Sequence, residues 1–223
     1  MTDCAFTLGD LTLSPRPSGA LWCASESILC VSDLHLGKSE RIARRGGVLL
    51  PPYETQATLD RLRQEIDNLS PATVICLGDS FDDLAAAQAL DAAHRADLAT
   101  MMAGRRWIWI EGNHDPGMTD LAGEHLTDVR IGTVHFQHIA DTSRQEFEVS
   151  GHYHPKASLT LRGRRLSSAC FVMDRTRLIM PAFGTYTGGL HVSSPELRRL
   201  FPAGATVRLT RAPQHSIPAS LCA

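Results

Sequence analysis

The chain has 223 residues, 43% hydrophobic and 21% charged, enough for a substantial core without disulfides and unlike a disordered or coiled-coil composition. Its 22 Lys+Arg against 24 Asp+Glu give a net charge of −2, so nucleic acid cannot be held by bulk charge and would need a local patch. No apolar run approaches membrane-span length, the start MTDCAFTLGD has no secretory pattern, and the six cysteines include no C-x-x-C pair; the expectation is a cytoplasmic single domain over 1–223 with no membrane partner, no disulfide framework and no zinc ribbon.

In chain order, Ala5 to Cys23 reads as short strands. Ile28-Leu29-Cys30-Val31-Ser32 is an apolar run that ends in Asp33-Leu34-His35. Pro51-Pro52 then precedes a helical stripe of Leu59, Leu62, Ile66 and Leu69, closed before Pro71. Thr73 to Leu77 runs into Gly78-Asp79, and the Ala-rich stretch from Asp83 to Met102 reads as helix ending at Gly104. Trp107 to Ile110 runs into Glu111-Gly112-Asn113-His114, Val129 to Gln137 into His138, and Phe147 to Ser150 into Gly151-His152. Short apolar runs bounded by turn residues fit strands buried on both faces, so Trp107 and Trp109 read as sheet packing. From Ala157 on, alternating runs with turns at Gly163-Arg164-Arg165 and Asp174-Arg175-Thr176 predict antiparallel strands, followed by a helix from Ser194-Pro195-Glu196. The strand–helix–strand order over the first runs implies right-handed parallel crossovers, with the ligand crevice outside the carboxyl ends of the strands.

Five such runs deliver Asp, Asn or His just past that end. The order is D-x-H (Asp33, His35), G-D-x-x-D (Asp79, Asp82), G-N-H-D (Asn113, His114, Asp115), His138, and G-H-x-H (His152, His154). Any one of these histidines alone is more often a hydrogen-bonded structural residue; the ordered set, each member after a strand, is what carries the signal. Carboxylate, amide oxygen and imidazole together suit a borderline-hard divalent ion such as Mn2+ or Fe2+ better than a thiolate zinc site. His138, at the end of its run, is preferred to His135 for the fourth position. His94, His125 and His215 read as surface residues, and His191 as a loop residue after Gly188-Gly189.

This constellation resembles the calcineurin-like metallophosphoesterase superfamily. The resemblance implies an α/β fold, a four-layer α/β/β/α sandwich with a mixed sheet, around a two-metal site. It implies Asp33, His35 and His154 as ligands of one ion, Asn113, His138 and His152 of the other, and Asp79 as the bridge. The catalytic residues are then Asp79 and the non-ligand His114, which is placed to stabilise transition-state charge or protonate the leaving oxygen while a metal-bridging hydroxide attacks. Asp82 and Asp115 are expected to orient ligand imidazoles or His114. The segments Leu49–Thr55, Leu77–Phe81, Gly151–Ala157 and Pro181–Leu190 resemble one bacterial subgroup, the PdeM group of ligase-associated DNA damage response endonucleases. That implies a metal-dependent phosphodiesterase acting on DNA and functionally associated with an ATP-dependent DNA ligase.

Substrate contacts are less determined. Lys38, Arg41, Arg44 and Arg45 follow His35 closely, with positions 41, 44 and 45 on one helical face; they read equally as a phosphate grip or as a solvated charged face. Tyr153, between two ligand positions, and Tyr186, in the Gly-rich loop, are candidates to touch substrate. The expected function is therefore a metal-dependent phosphoric ester hydrolase with two divalent ions, Mn2+ first and Fe2+ or Zn2+ as alternatives, cutting DNA. The alternatives are a small-molecule or nucleotide phosphodiesterase or pyrophosphatase of the same fold, and an inactive scaffold.

Overall fold

A computed structural model of the chain describes residues 5–117, 119–143, 146–161, 163–211, 214 and 216–222, without the side chains of Leu161 and Arg164. The first half runs β1 (Phe6–Leu8), β2 (Leu11–Pro15), β3 (Leu21–Cys23), β4 (Ile28–Val31), α1 (Lys38–Arg44), α2 (Glu54–Leu69), β5 (Thr73–Leu77), α3 (Leu84–Ala89), α4 (Ala92–Met102), β6 (Arg106–Ile110) and β7 (Glu124–Leu126). Its seven strands lie side by side in chain order, antiparallel from β1 to β4 and parallel from β4 to β7. The second half runs β8 (Asp128–Ile131), β9 (Val134–Gln137), β10 (Phe147–Ser150), β11 (Lys156–Leu161), β12 (Arg164–Met173), β13 (Arg177–Ile179), α5 (Pro195–Leu200), β14 (Thr206–Leu209) and β15 (Ser216–Pro218). These strands form a second sheet in the order β15-β14-β12-β13-β10-β9-β8, with β11 hairpinned onto β12. Both sheets are mixed, since β9, β10 and β13 are mutually parallel and the flanking pairs antiparallel.

Strand alternation stacks the layers. In the first sheet Cys30, Ile75, Leu77, Ile108 and Ile110 meet Phe136, Val149, Phe171, Leu178 and Met180 of the second. The opposite face of the first sheet, with Val31, Val74, Cys76, Trp107 and Trp109, packs on Leu59, Leu62 and Ile66 of α2 and Leu98 and Met101 of α4. The outer face of the second sheet packs Cys170, Val172, Ile179 and Val207 against Leu197 and Leu200 of α5. The result is the expected α/β/β/α sandwich. All five described cysteines are free and buried, and no described helix is long and apolar enough to cross a membrane.

Two segments depart from the sequence expectation. The run from Val129 to Gln137 is not one strand: Gly132, at φ +57°, turns it into an antiparallel hairpin of β8 and β9. The Ala-rich stretch is not one helix either. Leu90 is extended, with ψ at 125°, and the Asp91 side chain accepts from the His94 amide to cap a new helix. The strand ends expected to converge also belong to two sheets, so the crevice lies where the ends of β4, β5 and β6 meet those of β9 and β10.

Candidate metal centre

Each of the seven predicted ligands stands on a loop immediately after a parallel strand. Asp33 and His35 leave β4, Asp79 leaves β5, Asn113 leaves β6, His138 leaves β9, and His152 and His154 leave β10. Strand pairing continues beyond the strands themselves, with Asp33 N donating to Gly78 O (3.2 Å) and His35 N to Asp79 O (2.9 Å). Five of the seven residues adopt left-handed backbone: Asp33 (φ +54°), His35 (+45°), Asp79 (+46°), His152 (+68°) and His154 (+45°). Only a few per cent of non-glycine residues do so, and such strain persists where surrounding contacts over-determine it. The motif glycines provide that closeness: a Cβ at Gly112 would fall on the Asp79 amide and carboxylate, and one at Gly151 on the hydroxyl of Ser32.

The side chains gather into two trios whose donor atoms lie within 4.8 Å of one another: Asp33, His35 and His154, and Asp79, His138 and His152. In the first, His154 Nε2 lies 3.1 Å from Asp33 Oδ1 and 3.4 Å from His35 Nε2. In the second, His138 Nε2 lies 3.3 Å from Asp79 Oδ2 and 3.0 Å from Asn113 Oδ1, which brings Asn113 to this trio. Asp79 Oδ2 is also 3.9 Å from His35 Nε2 and so reaches both.

The donor set fits a pair of divalent ions. The His138 Nδ1 faces the Leu77 carbonyl at 3.1 Å and must carry a proton there, so Nε2 points its lone pair at two oxygen acceptors. Without a cation those contacts require a second proton, and the imidazole pKa is raised: burial opposes the charge, but Asp79 and Asp33 outweigh it. Burial likewise pushes Asp79 up, yet the His138 hydrogen bond and charge and the His114 amide hold it down at about 2. Asp33 is lowered in the same way against its burial, chiefly by His154, whereas burial lowers His152. Ionised carboxylates facing imidazole nitrogens form an N,O ligand set for a borderline-hard ion.

Around the first trio lies a layer of charge. Asp82, fully buried, sits 2.8 Å from His35 Nδ1 and 3.4 Å from Lys38 Nζ, and pairs with Arg41 Nε. Burial pushes its carboxyl up, but His35, Lys38 and Arg41 prevail and hold it well below the usual range. Asp82 thus stands against the His35 ring as an ion-pair partner. A third cluster of His35, Asp82 and His114 is close enough to suggest an ion, but Lys38 and Arg41 already occupy its carboxylate. The Ser32 hydroxyl and the His152 amide donate to Asp33.

Asp115 behaves differently from the expectation. Its oxygens accept from the backbone amides of Gly112 (3.1 Å) and Phe81 (3.0 Å), so it ties the loop after β6 to the loop after β5 and orients no imidazole. Burial raises its pKa to about 6, with the Asp79 charge adding to the rise. His114 donates its backbone N–H to Asp79 Oδ1 (2.9 Å), and its Nδ1 lies 3.0 Å from the Asp82 carbonyl. A carbonyl only accepts, which places the proton on Nδ1 and turns Nε2 elsewhere.

The remaining candidates separate clearly. His135 points away from the site to Glu146 (2.8 Å), leaving the fourth position to His138. His94 pairs with Asp91 and His125 bonds the Leu121 carbonyl; His191 accepts from the Ser158 amide and lies 2.8 Å from the Ser193 hydroxyl. His215 lies outside the described residues. The four cations after His35 are held internally: Lys38 and Arg41 by Asp82, Arg44 by Glu40 and Asp83, and Arg45 by Asp83. Lys38 and Arg41 therefore sit behind His35 on Asp82, a third arrangement beside the phosphate grip and the solvated face that the sequence left open. Tyr153 sets its ring edge-on to His152, with centroids 5.0 Å apart, and packs on the outer core; it buttresses a ligand. Tyr186 stays 43% exposed.

Other residues at the centre carry no catalytic motif signal. Glu54 accepts from the Ser39 amide and hydroxyl, and Thr55 from the Gly37 amide, so the start of α2 anchors the loop that follows His35. Arg61 donates to the Phe183 carbonyl, while Phe183 and Gly184 bond the carbonyls of Ser32 (2.7 Å) and Asp33 (3.0 Å). The Pro-Pro-Tyr-Glu-Thr and Gly-rich segments noted above thus have a physical role, which is to clamp the loop carrying Asp33 and His35.

The family profile for calcineurin-like phosphoesterases matches residues 26–177, a span holding every predicted ligand. Among solved structures, a nuclease from Pseudomonas putida, MPE, is similar with a TM-score of 0.72 and 24% identity, covering 96% of this chain and 98% of that one. A zinc-complexed Vps29 from Entamoeba histolytica gives a TM-score of 0.36 at 17% identity, covering 86% and 98% of the two chains. A search of curated proteins found no match.

Proposed function

The chain belongs to the calcineurin-like phosphoesterase family and is a metal-dependent phosphoric ester hydrolase; from that premise we propose that it is a two-metal phosphodiesterase that cuts DNA, an endonuclease of repair. The observation that carries the two-metal reading is the pair of donor trios with Asp79 reaching both. Asp33, His35 and His154 would hold one ion, Asn113, His138 and His152 the other, and Asp79 would bridge them. Mn2+ suits the mixed carboxylate, amide and imidazole set, with Fe2+ or Zn2+ as alternatives. Such a pair supplies Lewis-acid activation of both the phosphoryl group and the attacking water.

The chain itself does the rest. Asp82 fixes the His35 ring through Nδ1, the Leu77 carbonyl fixes His138, and the bond from His114 Nδ1 to the Asp82 carbonyl presents His114 Nε2 to the substrate. Protonated, His114 can give its Nε2 proton to the leaving oxygen or steady the developing phosphoryl charge.

Two observations support DNA as the substrate: the fold is shared along almost the whole chain with a protein described as a nuclease, and the four subgroup segments are present together. Association with an ATP-dependent DNA ligase belongs to the same reading. The test is a substrate panel with added Mn2+, setting bis-p-nitrophenyl phosphate against the p-nitrophenyl monoester, then single-stranded, duplex and nicked DNA. Cleavage of the diester and of DNA is expected; hydrolysis of small diesters with DNA left intact would move the assignment to a small-molecule phosphodiesterase.

A further inference from the structure

A groove of about 640 Å3, lined by none of the seven candidate donors themselves, is within the range of small-ligand pockets and large enough for about one or two nucleotides. Two of its lining residues are tied to the first trio. Gly184 bonds the Asp33 carbonyl, Lys156 stands two positions after His154, and Lys156 Nζ spans the groove to the Thr187 carbonyl at 3.3 Å.

Three cations line it, Arg61, Lys156 and Arg211, and among the described residues no Asp or Glu does. No described carboxylate pairs with any of the three, whereas every cation of the α1 cluster is matched to Asp82, Asp83 or Glu40. On a chain of net charge −2 this is a local concentration of uncompensated positive charge. Arg61 shows the cost most clearly. Its guanidinium lies 4.5 Å above the Phe183 ring and reaches a carbonyl, yet its Nε is buried without a hydrogen-bond partner. A partly buried cation held only by a carbonyl and a ring gains from an anion. At the rim Tyr186, left-handed at φ +60°, is 43% exposed as a residue, which leaves it available as a stacking platform.

We infer that this groove binds the single-stranded flank of a nucleic-acid substrate on the Asp33–His154 side of the cleaved bond, with Arg61, Lys156 and Arg211 on phosphates and Tyr186 against a base. The inference deepens the phosphodiesterase reading and rests on it.

The experiment uses oligothymidylates of two to eight residues with wild type, Arg211→Gln, Lys156→Gln and Tyr186→Ala. Kd is read by fluorescence anisotropy in chelator across salt concentrations, and kcat/KM with added Mn2+ relative to bis-p-nitrophenyl phosphate. Each removed phosphate contact should lower the salt slope by about 0.7, the single-strand value, and Tyr186→Ala should weaken binding about tenfold, as loss of one stacked base does. The penalty in relative kcat/KM should grow from the dinucleotide to the tetranucleotide. Arg211 and Tyr186 are exposed, so their variants remain informative if Lys156→Gln disturbs the Thr187 loop. If wild type cleaves oligothymidylate while the variants keep its slope, affinity and length dependence, the groove assignment is overturned and the nuclease reading stands. If wild type hydrolyses the small diester but neither binds nor cuts oligothymidylate, the DNA reading fails and the groove assignment goes with it.

Discussion

The two halves of the candidate metal centre hold their donors by different means. Around His35 and Asp33 the support is mostly other side chains, Asp82 against His35 with Lys38 and Arg41 behind it and Ser32 on Asp33, joined by the His152 amide on Asp33. Around His138 the partner that fixes the imidazole is backbone, the Leu77 carbonyl, while the Asp115 carboxylate holds the Gly112 amide at the head of the Asn113 loop and the Tyr153 ring stands edge-on to His152. The His35 ring can therefore be loosened by one substitution outside the candidate ligands, whereas the described partner of His138 Nδ1 is a carbonyl that no side-chain substitution removes. A side-chain brace tunes a ligand; a backbone brace simply holds it.

That contrast can be tested in order of expected effect. Asp79 is common to both halves, so Asp79→Ala should lower metal content at both positions and reduce turnover by more than about 10⁴-fold, beyond the usual span for one acid–base group. Elemental analysis after reloading checks it, and full occupancy in the variant would dissolve the shared-carboxylate picture. His114→Ala should keep both ions and lose roughly 10²–10⁴-fold in turnover, less with a p-nitrophenolate leaving group than with an alkoxide that needs a proton. Loss of an ion on that substitution would make His114 a ligand.

Asp82→Asn is the sharpest probe of the difference. Removing an outer partner of a ligand imidazole typically costs 10–100-fold, roughly, in metal affinity, and here only one of the two ions should weaken, giving a biphasic titration where wild type shows near-equal steps. Equal weakening of both would mean that the halves share their support. Smallest is Arg44→Ala: its guanidinium is exposed and paired with Glu40 and Asp83, and exposed pairs contribute little. Metal affinity and DNA affinity should stay within about twofold of wild type; a flattened salt dependence would return α1 to the phosphate grip.

What could be read from the sequence follows from what is local. A buried strand announces itself by its apolar run, and the residue after it is positioned by that run, so the seven candidate donors could be picked out, and His138 preferred to His135, without coordinates. The layer order followed from family resemblance. Features that depend on distant partners were hidden. Nothing near Arg41 says that its partner is Asp82, forty-one positions on, and Asp115 resembles any other loop carboxylate until Phe81 and Gly112 present their amides to it. The breaks at Leu90 and Gly132 were missed because a single cap or turn residue outweighed a continuous pattern around it. The cationic groove is hidden for the same reason: Arg61, Lys156 and Arg211 share no period and meet only in the folded chain.

The left-handed ligand residues carry a consequence for how this protein responds to selection. Each non-glycine residue in that conformation costs roughly 1 kcal/mol or more, and the five here add up to an amount comparable with the net stability of a typical domain, about 5–15 kcal/mol. Asp and His tolerate that conformation better than most side chains, which eases the figure, but glycine avoids the cost altogether. A screen that rewarded only heat resistance would therefore favour glycine at positions 35, 152 and 154. It would return sturdier chains that had lost the centre, so a campaign to harden this enzyme has to hold those positions constant and seek its gains elsewhere.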